Sequence, residues 1–130
     1  MRKILFRGKR ENGKWAEGYL FKSIFGNYNI RTLEEIDGDF YTDDYIVESE
    51  TVGQYIGKND INDKKVFDGD IVKLNLEEGI EIGHIALNEE NYRYVFVGVD
   101  GIPYGIDSTV KLEVIGNIYD NPELLKGGEG

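Results

Sequence analysis

Short apolar stretches alternate with polar positions along this chain, and the breaks between them are rich in Gly, Asn and Asp, the punctuation of antiparallel hairpins. Asn12-Gly13 separates Ile4-Leu5-Phe6 from Trp15-Ala16 and Tyr19-Leu20-Phe21. Such a pair supplies the positive φ angles of a two-residue turn, which predicts strands near residues 2–9 and 14–22. Asp37-Gly38 repeats the signal between Tyr28-Asn29-Ile30-Arg31-Thr32-Leu33 and Phe40-Tyr41. Val66-Phe67 and Ile71-Val72-Lys73-Leu74-Asn75-Leu76 then lead through Glu77-Glu78-Gly79 into a period-two run at Ile80, Ile82, His84 and Ala86. Tyr92-Arg93-Tyr94-Val95-Phe96-Val97, Asp100-Gly101 and Val110-Lys111-Leu112-Glu113-Val114-Ile115 continue the series. Turn signals recur about every 8–12 residues, the spacing of a sandwich or barrel.

No window of about a dozen residues keeps helical spacing, so helix is expected only as short connecting turns. Asn121-Pro122-Glu123-Leu124-Leu125 is the best placed, with Asn121 as cap and Pro122 at the first helical position. Asp68-Gly69-Asp70 ahead of Ile71-Val72 is similar to the turn that opens a strand in SH3-like barrels, where Gly permits a sharp bend and Asp caps nearby amides. The expected fold is mainly β: hairpins over residues 1–58, a small SH3-like barrel-type lobe with a C-terminal helical turn over 59–125, and a flexible tail at 126–130. Val52-Gly53-Gln54-Tyr55-Ile56-Gly57 joins the two, with Gln54 and Tyr55 as polar handles.

Composition narrows the function. The chain has 130 residues, 40% hydrophobic and 31% charged, with 17 Gly and 2 Pro, which suits a soluble globular protein. Its net charge of −10 disfavours general attraction to nucleic acid or anionic lipid. The absence of cysteine removes disulfides, thiol catalysis and Cys-ligated zinc. The apolar runs are too short to span a bilayer and the start lacks a signal-peptide pattern, so the expected compartment is the cytoplasm, with no membrane partner.

Charge is unevenly placed. Arg2, Lys3, Arg7, Lys9, Arg10, Lys14 and Lys22 crowd the first hairpin, whereas Glu34, Glu35, Asp37, Asp39, Asp43, Asp44, Glu48 and Glu50 fill a stretch without a basic residue. The two runs are complementary, and they are expected to lie near each other in the fold or across a subunit contact. Arg7, Lys9, Arg10 and Lys14 form the candidate partner surface, and binding of nucleic acid through them is the alternative reading.

Catalytic patterns do not emerge. His84 is the one histidine, and Ser23, Ser49 and Ser108 sit outside any nucleophile-elbow sequence. Asn59-Asp60-Ile61-Asn62-Asp63 with Asp68-Gly69-Asp70 invites a calcium loop, but a frame begun at Asp60 puts Lys65 at the turn glycine and Ile71 at the bidentate Glu. These residues read as turn formers, as do Gly98, Gly101 and Gly105, which lack phosphate-loop spacing. Tyr92, Tyr94 and Phe96 share one strand face and are expected to pack rather than to stack on bases. No enzyme activity, cofactor or metal is expected, although pairings among the carboxylates need coordinates to judge.

Three segments resemble the YopX family of phage and prophage proteins. They are Phe6-Arg7-Gly8-Lys9-Arg10 with Asn12-Gly13-Lys14-Trp15 and Gly18-Tyr19-Leu20; Glu50-Thr51-Val52-Gly53-Gln54-Tyr55-Ile56-Gly57 running into Val66-Phe67-Asp68-Gly69-Asp70-Ile71-Val72; and Leu112 to Leu125 through Gly116-Asn117-Ile118-Tyr119-Asp120-Asn121-Pro122. They follow the family's order over nearly the full length. The chain departs at Ile56, where the family usually has Thr, and at Asp63, where it tends to have Gly. The resemblance implies a phage-derived protein of the bacterial cytoplasm with no established activity and no catalytic residues to carry over. It also implies a homo-oligomer or a phage or host protein partner.

Overall fold

The computed structural model describes residues 4–107 and 109–126. Arg2 and Lys3 of the first expected strand, Ser108, and tail residues 127–130 lie outside the described residues. The chain divides into two compact units, Met1–Tyr55 and Ile56–Gly130.

In the first unit β1 (Phe6–Lys9), β2 (Trp15–Lys22), β3 (Tyr28–Ile36) and β4 (Asp39–Val47) pair antiparallel in the order β4-β3-β2-β1. Alternation sends Phe6, Ala16, Leu20, Ile30, Tyr45 and Val47 to one side, where Ala16, Ile30 and Val47 form a buried core. Gly8 shares that side, and a Cβ on it would stand 2.7 Å from Val47. Glycine at this position lets the end of β4 lie over β1, where the Glu48 N–H donates to the Lys9 carbonyl at 2.8 Å. A short 3-10 turn, Ser49–Thr51, follows, and its buried Thr51 hydroxyl accepts the Lys9 N–H at 2.8 Å.

β5 (Gly53–Asn59) begins in the first unit, where Gly53 and Gln54 pair with Arg7 and Phe6. It ends in the second as one arm of a hairpin with β6 (Lys65–Phe67). The stretch expected to be a mere joint is thus a strand.

In the second unit β7 (Asp70–Leu76), β8 (Gly79–Asn88), β9 (Arg93–Gly98), β10 (Pro103–Gly105) and β11 (Leu112–Asn117) make a sheet in the order β10-β9-β8-β7-β11. Val66, Val72, Leu74, Ile85, Phe96 and Leu112 form its core. Gly69 bends the chain at φ +91°, and the buried Asp70 carboxylate accepts the Phe67 N–H at 2.8 Å, which is the turn chemistry expected of Asp68-Gly69-Asp70. The barrel-type closure expected here does not form. β10 is only three residues long, exposed throughout and led by a proline without an N–H, so it makes a sheet edge instead of closing onto β11. Three further expectations are corrected. Tyr92 precedes β9 in a left-handed loop position with φ 55°, so only Tyr94 and Phe96 turn toward the core. Asn121 precedes the 3-10 turn Pro122–Lys126, yet its side chain accepts the Asn117 N–H at 3.2 Å and caps no helix. Lys126, assigned to the tail by sequence, closes that turn.

The turns explain the register. Asn12-Gly13 does not build a two-residue turn, because only Gly13 takes positive φ. Arg10 and Lys14 bracket a three-residue loop, with the Gly13 N–H donating to the Arg10 carbonyl and the Arg10 N–H to the Lys14 carbonyl. The same bonding recurs at 23–27, 60–64 and 98–102, with Gly26, Asp63 and Gly101 at the left-handed position. Asp37-Gly38 does form the two-residue turn, at φ 52° and 85°.

Asp63 occupies a φ of 62° where the other three loops use glycine. Left-handed backbone costs an L-residue roughly 1–2 kcal/mol, partly offset for Gly by its larger entropy loss of roughly 0.5–1 kcal/mol. Asp63→Gly is therefore expected to equal or exceed the native chain in stability, and Asp63→Ala to fall about 1 kcal/mol below Asp63→Gly, as read from urea unfolding midpoints.

Candidate docking surface of the first unit

Strand parity decides where the candidate basic residues go. Arg7 and Lys9 share a face of β1 with Trp15 and Glu17 of β2, and the Arg7 guanidinium lies 4.9 Å over the Trp15 ring. Arg10 is one step out of phase and turns to the opposite side, where its guanidinium sits 4.1 Å over Tyr45. Lys14 is exposed at the end of the three-residue loop. The structure therefore brings Arg7 and Lys9 together but places Arg10 across the sheet from them.

The face turned away from the core was not anticipated as a surface. Register places Phe21, Asn29 and Ile46 in one row, Tyr19, Arg31 and Asp44 in the next, then Leu33 with Thr42 and Glu35 with Phe40. Tyr19 is 53% exposed, Leu33 53%, Ile46 60% and Phe40 66%, so this side of the sheet is a broad apolar surface open to water. Arg31 crosses its middle with paired bonds of 2.7 and 2.8 Å to Asp44 while lying 5.0 Å over Phe21. The Arg31 hydrogen bonds hold the Asp44 carboxyl below the ordinary carboxylate range. Both partners are solvated, so the pair orders the surface more than it stabilises the fold. Among the described residues, β3 has no β2 partner beyond Arg31, and residues 32–43 continue as a ribbon paired only within itself. At the tip of the β2–β3 loop Ile24 and Phe25 are 95% and 85% exposed.

On the core side, the end of β4 and the β1–β2 loop enclose a groove of ≈ 850 Å³. Asp44, Tyr45, Ile46 and Val47 line it from β4, Arg10, Glu11 and Asn12 from the end of β1 and the loop, and Glu48 from beyond β4. Part of the acidic run thus meets part of the basic run here, as their complementarity suggested, while Glu34, Glu35, Asp37, Asp39 and Asp43 extend along the ribbon.

The other sequence candidates find structural roles. Asp60 is buried: its Oδ1 accepts the Asn62 and Lys64 amides and its Oδ2 the Val114 amide, each at 2.9 Å. Burial pushes its pKa up, but those three amides outweigh burial and hold it below the usual value. His84 stands in β8 between Ile71 of β7 and Val97 of β9. Among the described residues, no group of three or more His, Asp or Glu side chains is placed to hold a metal ion, and no helix is long and apolar enough to cross a membrane.

The family model described as YopX protein matches residues 5–126. The chain belongs to the YopX family. No curated protein matches it. Among solved structures, this YopX chain is similar to the crystal structure of protein EF1440 from Enterococcus faecalis, at 18% identity and a TM-score of 0.55, covering 96% of this chain and 99% of that one. At that identity the likeness concerns the fold alone. Asp63 takes a left-handed loop position, which glycine adopts with the least strain.

Proposed function

We propose that this YopX protein is a phage- or prophage-derived docking module of the bacterial cytoplasm, β-rich and non-enzymatic, that works by assembling with copies of itself or with a phage or host protein. The observation that carries this reading is the outer face of the first unit, where Tyr19, Leu33, Phe40 and Ile46 present apolar side chains to water on the side opposite the core. A face of this kind, with charged groups among the apolar ones, is a common form of protein interface. Nucleic-acid binding through Arg7, Lys9, Arg10 and Lys14 draws less support, because these cations are divided between two faces and a loop. It would show as affinity falling steeply with salt.

Light scattering and sedimentation of the pure chain, together with affinity capture from induced cells, test the proposal. Self-association or a reproducible partner is expected, weakened at least about tenfold (~1.4 kcal/mol) by Leu33→Ser with Phe40→Ser while the circular dichroism spectrum is unchanged. A native chain that is monomeric at every concentration and captures nothing would overturn it.

A further inference from the structure

We propose that the open edge of β4 takes up an extended, Lys- or Arg-bearing segment of another protein as an added strand. This goes beyond the face-to-face association above, because it uses the backbone of β4 and not the apolar side chains of the outer face. β4 ends the strand order, with β3 as its sole ladder partner among the described residues. Ile36 and Asp39 flank a two-residue turn and so exchange backbone hydrogen bonds, as does every second pair along the ladder. The N–H and C=O groups of Phe40, Thr42, Asp44 and Ile46 consequently point away from β3 and offer a template for a further strand.

Charge selects the occupant. β4 carries Asp39, Asp43 and Asp44 and no cation, and Glu11 and Glu48 flank the groove along its C-terminal half. Arg31 answers Asp44, and Arg10 is the one cation lining the groove among the described residues, so the edge keeps an excess of carboxylates. A second copy is disfavoured: in the centred register of a two-fold β4–β4 pair Asp43 faces Asp43, and like charges directly opposite destabilise a ladder. A strand bearing Lys or Arg at alternate positions meets carboxylates instead, and the groove beside Tyr45 and Val47 receives one of its side chains.

The test measures anisotropy of a fluorescein-labelled peptide alternating Lys and Val, matched in length to β4, titrated with the native full chain. It is expected to bind at least tenfold (~1.4 kcal/mol) tighter than a Glu-Val peptide of the same length. N-methylation of alternate peptide residues on the strand-facing edge is expected to abolish binding without any change to the protein. Thr42→Pro, which removes an outward N–H at an edge position where proline is tolerated, should do the same with its circular dichroism spectrum retained. Equal affinity for the two peptides, or indifference to N-methylation, would overturn the proposal, as would full binding by Thr42→Pro. Dissociation of a native oligomer by Thr42→Pro would overturn it in favour of a second copy. No peptide binding in a chain that still self-associates through Leu33 and Phe40 would sink the edge-strand proposal and leave the docking-module reading standing.

Discussion

Phe96→Ala is expected to cost the second unit about 3–5 kcal/mol, the largest loss from any single truncation in that core. Phe96 is the largest fully buried side chain among the described residues, in contact with the cluster of Val66, Val72, Leu74, Ile85 and Leu112. The size of the loss follows from how little the site can collapse. β8 passes directly against the ring: a Cβ on Gly83 would stand 2.6 Å from Phe96 Cζ and 2.2 Å from the Val97 carbonyl oxygen. The ladder between β8 and β9 runs from Gly83↔Gly98 to Asn88↔Arg93 and holds both backbones at fixed separation. The space vacated by the ring therefore stays a cavity. Phe96→Leu, which keeps much of the volume, should lose only about 1 kcal/mol. Hydrogen exchange of the β7–β9 amides measures both, and a loss under about 1 kcal/mol for the alanine variant would show that the strands close after all.

Asp60→Ala comes second, with an expected loss of about 2–4 kcal/mol. One carboxylate serves three amides, two inside its own hairpin loop and one on β11, 54 residues away. Water can replace it at the exposed Asn62 and Lys64 but less readily at half-buried Val114. Asp60→Asn does not rescue the site, because its Nδ2 would bring a donor against an N–H donor. The carboxylate also makes stability depend on pH. Its folded pKa lies below the ordinary 3.8, so the unfolded chain takes up the proton first on acidification. The stabilisation is complete above that ordinary value and is lost as pH falls through the folded pKa. Urea midpoints of native protein and Asp60→Asn, compared from neutral pH downward, should converge only in the acid range. A gap that persisted unchanged to the lowest pH would rule out ionisation as its source.

Much of the architecture was legible because hairpin chemistry is local. The period-two runs at 71–76 and 80–86 became β7 and β8, and Asp37-Gly38 made its two-residue turn. Asn12-Gly13 was misread because an Asn-Gly pair also fits the longer loop, with Gly13 alone left-handed, and four loops among the described residues adopt that form. β5 was missed since Gly53 and Gly57 read as linker residues, while what makes the segment a strand is its pairing with β1, distant in sequence. Barrel closure failed on β10, which the pattern did not register.

The candidate surface was half visible. Parity alone, with residues 7 and 9 in phase and residue 10 out of phase, already separates Arg10 from its neighbours. The groove was not visible, since it depends on β4 ending over Gly8 so that Glu48 reaches Lys9.

The strand order of the second unit has a kinetic consequence. β7, β8 and β9 each pair with the next strand in sequence, so their ladders grow by closing short loops at small entropic expense. β11 alone must return across that meander to β7, and Val114 reaches Asp60 over 54 residues. Its arrival is the long-range event of the unit, the one that sets how quickly the nascent sheet is sealed.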